Sequence, residues 1–123
     1  MRILVVDDEI DTLGLIELTL QTAGYDVKTV PSGEEALKQL RQGGYDAVLL
    51  DEMMPDKTGS DVLRILGEEK VAIPPVIFLT AKGRPEDRAM GEGLGAADYL
   101  VKPTTRGQLL DAIRRLAGGS STS

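Results

Sequence analysis

The chain has no cysteine, no histidine and no tryptophan, and one phenylalanine among its 123 residues. Without cysteine there is no disulfide, no thiolate nucleophile and no Cys-based zinc site. Without histidine the commonest general base and metal ligand are missing, so any chemistry must run on carboxylates, hydroxyls and amines. Aromatics at 3% leave the core to aliphatic side chains. Positive charge is also in the minority: 14 Lys and Arg stand against 20 Asp and Glu, a net charge of −6. A phosphate backbone is repelled by such a surface, which argues against direct nucleic-acid binding. No apolar run approaches the ~18 residues of a membrane span. Met1 is followed almost at once by a strand-like run rather than a signal peptide, so the expectation is a cytoplasmic chain without membrane contact.

What is present describes a globular domain, with 41% hydrophobic and 28% charged residues in a length that can bury one core. Short apolar runs recur: ILVV from Ile3, DVKTV from Asp26, AVLL from Ala47, VIFL from Val76 and DYLV from Asp98. Runs of this kind suit a parallel sheet covered on both faces. Helical patterns fill the gaps. Ile10, Leu13, Ile16 and Leu20 share one helical face, with Gly24 as a stop. Ser32 with Glu35 has capping-box spacing, and Gly43 and Gly44 close that helix. Ser60 is placed to cap a helix carrying Val62, Ile65 and Leu66, ahead of Pro74 and Pro75. Thr105 with Gln108 repeats the capping-box spacing before Leu109, Ile113 and Leu116. A fifth helix is expected between Pro85 and Gly95, short or easily remodelled, because Gly91 and Gly93 each cost about 1 kcal/mol relative to alanine. Residues 1–117 then form the domain, and the GGSSTS ending makes 118–123 a flexible tail or the start of a linker.

Alternating strands and helices predict a doubly wound α/β domain with right-handed crossovers. Sites in such sheets lie beyond the carboxyl ends of the strands. The first strand ends in Asp7 and Asp8, the third in Asp51, the fourth in Thr80 and the fifth in Lys102-Pro103. Each has an ordinary explanation as a cap, a turn or a solvated charge. Together they put acids, a hydroxyl and an amine on one rim. If the first and third strands are neighbours, the acids converge and would repel one another unless a cation joined them. A hard divalent ion such as Mg²⁺ takes oxygen ligands of this sort, and with Lys102 it would nearly balance the charge. Such an arrangement suits phosphoryl transfer, with a carboxylate as nucleophile.

The ordered set ILVVDDE, VLLDEMMP…TG, FLTA and GAADYLVKP, with its spacings, resembles the receiver domain of two-component response regulators over residues 1–117. The resemblance implies a flavodoxin-like receiver fold: a five-stranded parallel sheet, order 2-1-3-4-5, with five helices. It implies that Asp51 accepts a phosphoryl group from a kinase phosphohistidine and that hydrolysis then removes it slowly. It makes Asp8 and Asp51 direct Mg²⁺ ligands, with Asp7 acting through water and the Met53 backbone carbonyl completing the set. Thr80 becomes a switch hydroxyl, Lys102 its cationic partner at the phosphoryl group, and Tyr99 an aromatic switch that lies away from the site until Thr80 moves. The implied partners are a histidine kinase or phosphotransfer protein and a downstream effector or covalently linked output domain. The chain itself would be a monomer or a phosphorylation-dependent dimer. It would be no enzyme in the ordinary sense, but a phosphoacceptor that assists its own phosphorylation and dephosphorylation. Thr104 follows Lys-Pro where the family often has phenylalanine, and Glu92 stands near a usual leucine. Met53 and Lys82 fall where receivers vary and tune dephosphorylation.

Rival readings lack a required residue. A haloacid-dehalogenase-type phosphatase needs an acid two residues after its nucleophile, and Met53 stands there. A low-molecular-weight tyrosine phosphatase needs a cysteine. A nucleotide site needs a glycine-rich loop after the first strand, where this chain has VVDDEID. A receiver-like interaction module that is never phosphorylated remains the alternative, and it has no need to keep Asp51, the other acids and Lys102.

Overall fold

The computed structural model describes residues 1–80, 97–102 and 104–118. Five parallel strands form one sheet: β1 (Arg2–Val6), β2 (Asp26–Val30), β3 (Ala47–Asp51), β4 (Val76–Thr80) and β5 (Asp98–Val101), in the order β2-β1-β3-β4-β5. The direction of winding reverses between β1 and β3, which pair from Ile3↔Ala47 to Val6↔Leu50. The next residues on those two strands are Asp7 and Asp51, so the register itself brings the acids to one crevice.

Four helices are described: α1 (Ile10–Thr22), α2 (Gly33–Gln42), α3 (Gly59–Glu68) and α4 (Arg106–Gly118). The helix expected between Pro85 and Gly95 lies outside the described residues, as does Pro103. Alternation along the strands divides the core in two. Leu4, Val6, Val48, Leu50 and Phe78 pack with Leu37, Leu40, Val62 and Leu66 of α2 and α3. Ile3, Val5, Leu49, Ile77 and Leu79 pack with Leu13, Ile16, Leu20, Leu109 and Ile113 of α1 and α4. Both faces are covered at β1, β3 and β4, and this is why those strands read as unbroken apolar runs; β2, at the sheet edge, leaves Asp26 and Lys28 exposed.

Helix ends show where local chemistry decides. Gly24 follows α1 with φ +96° and donates its amide to the Gln21 carbonyl, a conformation that favours glycine. Thr105 and Gln108 cap α4 reciprocally, at 3.0 Å and 3.1 Å. Ser32 Oγ accepts the Glu35 amide at 3.2 Å. Two expectations fail. Ile10 is 76% exposed, outside the buried face of α1. Ser60 does not cap α3; Thr58 does, in a capping box with Asp61. The reason is Glu52, whose carboxylate takes the Ser60 amide at 2.8 Å and its hydroxyl at 2.7 Å. Among the described residues no helix is long and apolar enough to cross a membrane.

Candidate functional site: an acidic crevice at the strand ends

Asp7 and Asp51 end their strands almost fully enclosed, at 0% and 3% exposed. Asp8 is on the open side, and one oxygen from each of the three carboxylates lies within 4.8 Å of the others. The Met53 amide donates to Asp51 Oδ1 at 3.3 Å, and the Met53 side chain lies exposed at the rim. Lys102 leaves β5 and points back into the acids. Its Nζ stands 2.8 Å from Asp7 Oδ2, 3.3 Å from Asp51 Oδ2 and 3.4 Å from Glu9 Oε1.

These distances set the protonation of the site. Burial, and after it the charge of Asp7, push the Asp51 carboxyl up to about 7, against the opposing pull of Lys102 and the Met53 amide. Burial disfavours the charged Lys102 amine, but its bond to Asp7 and the charge of Asp51 outweigh it and hold the amine above its ordinary value. Among the described residues Asp7 Oδ2 has no well-aligned hydrogen bond, only the ion pair with Lys102. Buried carboxylate oxygens with spare lone pairs, beside an acid whose ionisation is resisted, fit a hard divalent cation with oxygen ligands.

Thr80 follows Leu79, the register partner of Asp51 on β4. Its Oγ1 is buried with no hydrogen-bond partner among the described residues. Tyr99 is buried, its ring stacked on Phe78 with centroids 5.7 Å apart. Apolar surface on β4 and β5 supplies the reason: a ring placed there leaves water without needing a new charge nearby. Glu52, Ser60, Phe78, Thr80 and Tyr99 line one small crevice. Thr104 lines a separate cleft of about 350 Å³, with Leu15, Ile16 and Leu79 beside it and Glu9 and Lys102 at its rim.

Asp7, Asp8, Asp51, Met53, Thr80 and Lys102 thus gather at the carboxyl edge of the sheet, while Tyr99 sits within β5, opposite Phe78. Three further acids were not foreseen. Glu52 ties the end of β3 to α3. Asp56, in the loop after β3, accepts the amides of Gly33 and Glu34 at 3.1 Å and 2.9 Å and so caps α2 from a distance. Glu9 contacts Lys102. Its sequence signal was weak but present: glutamate stands immediately before α1, where Ser, Thr, Asp or Asn is preferred.

The fold and the site together define a flavodoxin-like domain with an acidic crevice where the strand order turns. Residues 3–114 match the response regulator receiver domain family. The chain is 42% identical over 102 residues to the alkaline phosphatase synthesis transcriptional regulatory protein PhoP of Bacillus subtilis, covering 83% of this chain and 42% of that protein. It is 41% identical over 115 residues to the transcriptional regulatory protein CpxR of Escherichia coli, covering 94% of this chain and 48% of CpxR. Chemotaxis protein CheY4 of Vibrio cholerae shares the fold with a TM-score of 0.86 at 33% identity, over 94% of this chain and 97% of that one. Response regulator protein TrrA of Thermotoga maritima, solved in complex with Mg²⁺-BeF, does so with a TM-score of 0.81 at 36% identity, over 94% and 97%. The chain therefore belongs to the response regulator receiver family of two-component signalling. It spans about half the length of the curated relatives it matches.

Proposed function

We propose that this chain accepts a phosphoryl group on Asp51 from the phosphohistidine of a histidine kinase or phosphotransfer protein, and that the modified domain presents an altered face to an effector or linked output domain. The observation that carries the reading is the setting of Asp51: a buried carboxylate at a strand end, with the oxygens of Asp7 and Asp8 within 4.8 Å and the Lys102 amine at 3.3 Å. The alternative of an unphosphorylated interaction module leaves that convergence without a purpose.

Asp7, Asp8 and Asp51 would hold Mg²⁺, with the Met53 carbonyl as a further oxygen donor. Bound there, the ion would offset charge on the acids and on the incoming phosphoryl group. An Asp51 carboxylate oxygen attacks phosphorus, the bond from phosphorus to the imidazole nitrogen breaks, and the imidazole leaves with the electron pair. Lys102 pairs with a phosphoryl oxygen, exchanging one anionic partner for another. Thr80 Oγ1, buried and without a hydrogen-bond partner among the described residues, donates to a second phosphoryl oxygen. Water later hydrolyses the acyl phosphate and restores the carboxylate. The chain acts on itself in these steps, as phosphoacceptor and not as an enzyme turning over a separate substrate.

On this reading phosphorylation draws Thr80 toward the phosphoryl group and shifts the balance of conformations at Tyr99, which lines the same small crevice. The test is intact-mass measurement after acetyl phosphate treatment, with and without Mg²⁺, on the wild type and Asp51→Asn. One added phosphoryl group that requires both the metal and Asp51 is expected. Undiminished labelling of Asp51→Asn would remove the assignment.

A further inference from the structure

Lys102 has three carboxylate partners among the described residues, and they are not equivalent. Asp7 and Asp51 belong to the group of acids that can surround a cation; Glu9 does not. A divalent ion entering between Asp7, Asp8 and Asp51 would meet an ammonium 2.8 Å from one of its own ligand groups. Two like charges so close in a water-poor crevice repel strongly, so the amine must give up Asp7.

The surroundings of Glu9 suit it to receive that amine. Its backbone is anchored: the amide donates to Asp7 Oδ1 at 2.9 Å, and the carbonyl accepts the Leu13 amide at 3.0 Å. Its side chain is 64% exposed and makes no capping bond to α1. A preferred capping residue at this position would stabilise the helix by about 1 kcal/mol. Glu9 supplies no such bond, and its carboxylate instead reaches over the rim of the crevice to Lys102. The contact is already 3.4 Å, on the open side, so the amine can shift toward Glu9 without movement of the backbone.

We propose that Glu9 is a positioning residue that holds the Lys102 amine when Asp7 and Asp51 turn to a divalent cation, so that the cation and the lysine occupy the site together. The inference rests on the reading of the crevice as a cation site, and it assigns to this chain's own Glu9 a share in admitting the cation.

Calorimetric titration with MgCl₂ at fixed ionic strength tests it, on the wild type, Glu9→Gln, Lys102→Met and the double variant. Glu9→Gln should weaken Mg²⁺ binding about threefold to fivefold, the scale of one exposed ion pair, because the lysine then clings to Asp7 and Asp51. Lys102→Met should bind Mg²⁺ more tightly than the wild type, the competing cation being gone. In that background Glu9→Gln should have little further effect. Equal weakening in both backgrounds would show that Glu9 acts by its charge alone, and would overturn the proposal. So would a Glu9→Gln chain that binds like the wild type. A wild type that binds no Mg²⁺ at all would defeat the reading of the crevice first, and this inference with it. Thermal unfolding in EDTA gives a separate readout: Glu9→Gln should match the wild type there, since without the ion Lys102 keeps its two buried partners.

Discussion

Lys102 lies 51 residues beyond Asp51 in the chain, yet its Nζ stands 3.3 Å from Asp51 Oδ2. Two strands deliver the pair. β3 ends in the aspartate, β5 ends just before the lysine, and β4 lies between them. The lysine thus bridges a strand to reach acids on β1 and β3, and the protonation behaviour of the crevice follows from that geometry.

Stability without a divalent cation should depend on pH with a definite sign. Asp51 has a folded-state value of about 7 against an ordinary 3.8, so between those limits the folded chain binds a proton that the unfolded chain has released. The associated stabilisation is complete below about 4 and is lost as pH rises through 7, with a slope of at most about 1.4 kcal/mol per pH unit. Urea denaturation in EDTA across pH 4 to 8 should show the decline. It should be absent in Asp51→Asn, and Mg²⁺ should bind more tightly as pH rises through the same window.

Replacing Thr80 with valine should leave the unphosphorylated chain as stable as the wild type or more stable by about 1 kcal/mol, because a buried hydroxyl with no partner among the described residues carries a desolvation cost. After phosphorylation the same variant should fail to propagate the change. NMR signals of Tyr99 should shift in the phosphorylated wild type and stay put in the phosphorylated Thr80→Val chain. A loss above about 1 kcal/mol in the unphosphorylated chain would mean that the hydroxyl already makes a hydrogen bond, and would overturn its role as a free donor.

Gly59 should not tolerate a side chain. A Cβ there would stand 2.8 Å from the Asp51 carbonyl oxygen, 2.8 Å from Phe78 Cε1 and 3.0 Å from Leu50 Cγ. Gly59→Ala should cost about 1–3 kcal/mol by overpacking and displace the end of β3. The internal control is Gly14→Ala, where nothing lies within 4 Å and the gain in helix propensity should raise stability by up to about 1 kcal/mol. Equilibrium unfolding of both variants decides.

Asp56→Ala should loosen the start of α2. Burial opposes ionisation of this carboxyl, but the bonds it accepts from Glu34 and Gly33 outweigh that and hold it below its usual value. Losing a cap of this kind costs about 1 kcal/mol. Faster amide hydrogen exchange at Gly33 and Glu34, against unchanged exchange in β1, would locate the effect. Uniform loss of protection would instead mean that Asp56 supports the whole β3–α3 loop.

Much of this protein was legible from local pattern. The central strands β1, β3 and β4 are unbroken apolar runs because both sheet faces are covered there, and the residue pattern alone reveals that. Gly24, Ser32 and the Thr105–Gln108 pair act within a few residues of themselves, so their roles survive without tertiary knowledge. The acids after β1 and β3, Thr80 after β4 and Lys102 after β5 were legible because strand ends in a doubly wound sheet share one edge. Relationships that span the chain were decided only by the tertiary structure. Glu52 takes Ser60 out of the capping position through a contact that spacing does not foretell. Asp56 caps a helix that precedes it by more than twenty residues. Ile10 obeys the helical period yet faces solvent, at the first residue of α1. Tyr99 lies inward on Phe78 because adjacent strands in register put the two rings side by side, and Glu9 meets Lys102 because the first and last strands deliver their next residues to the same rim.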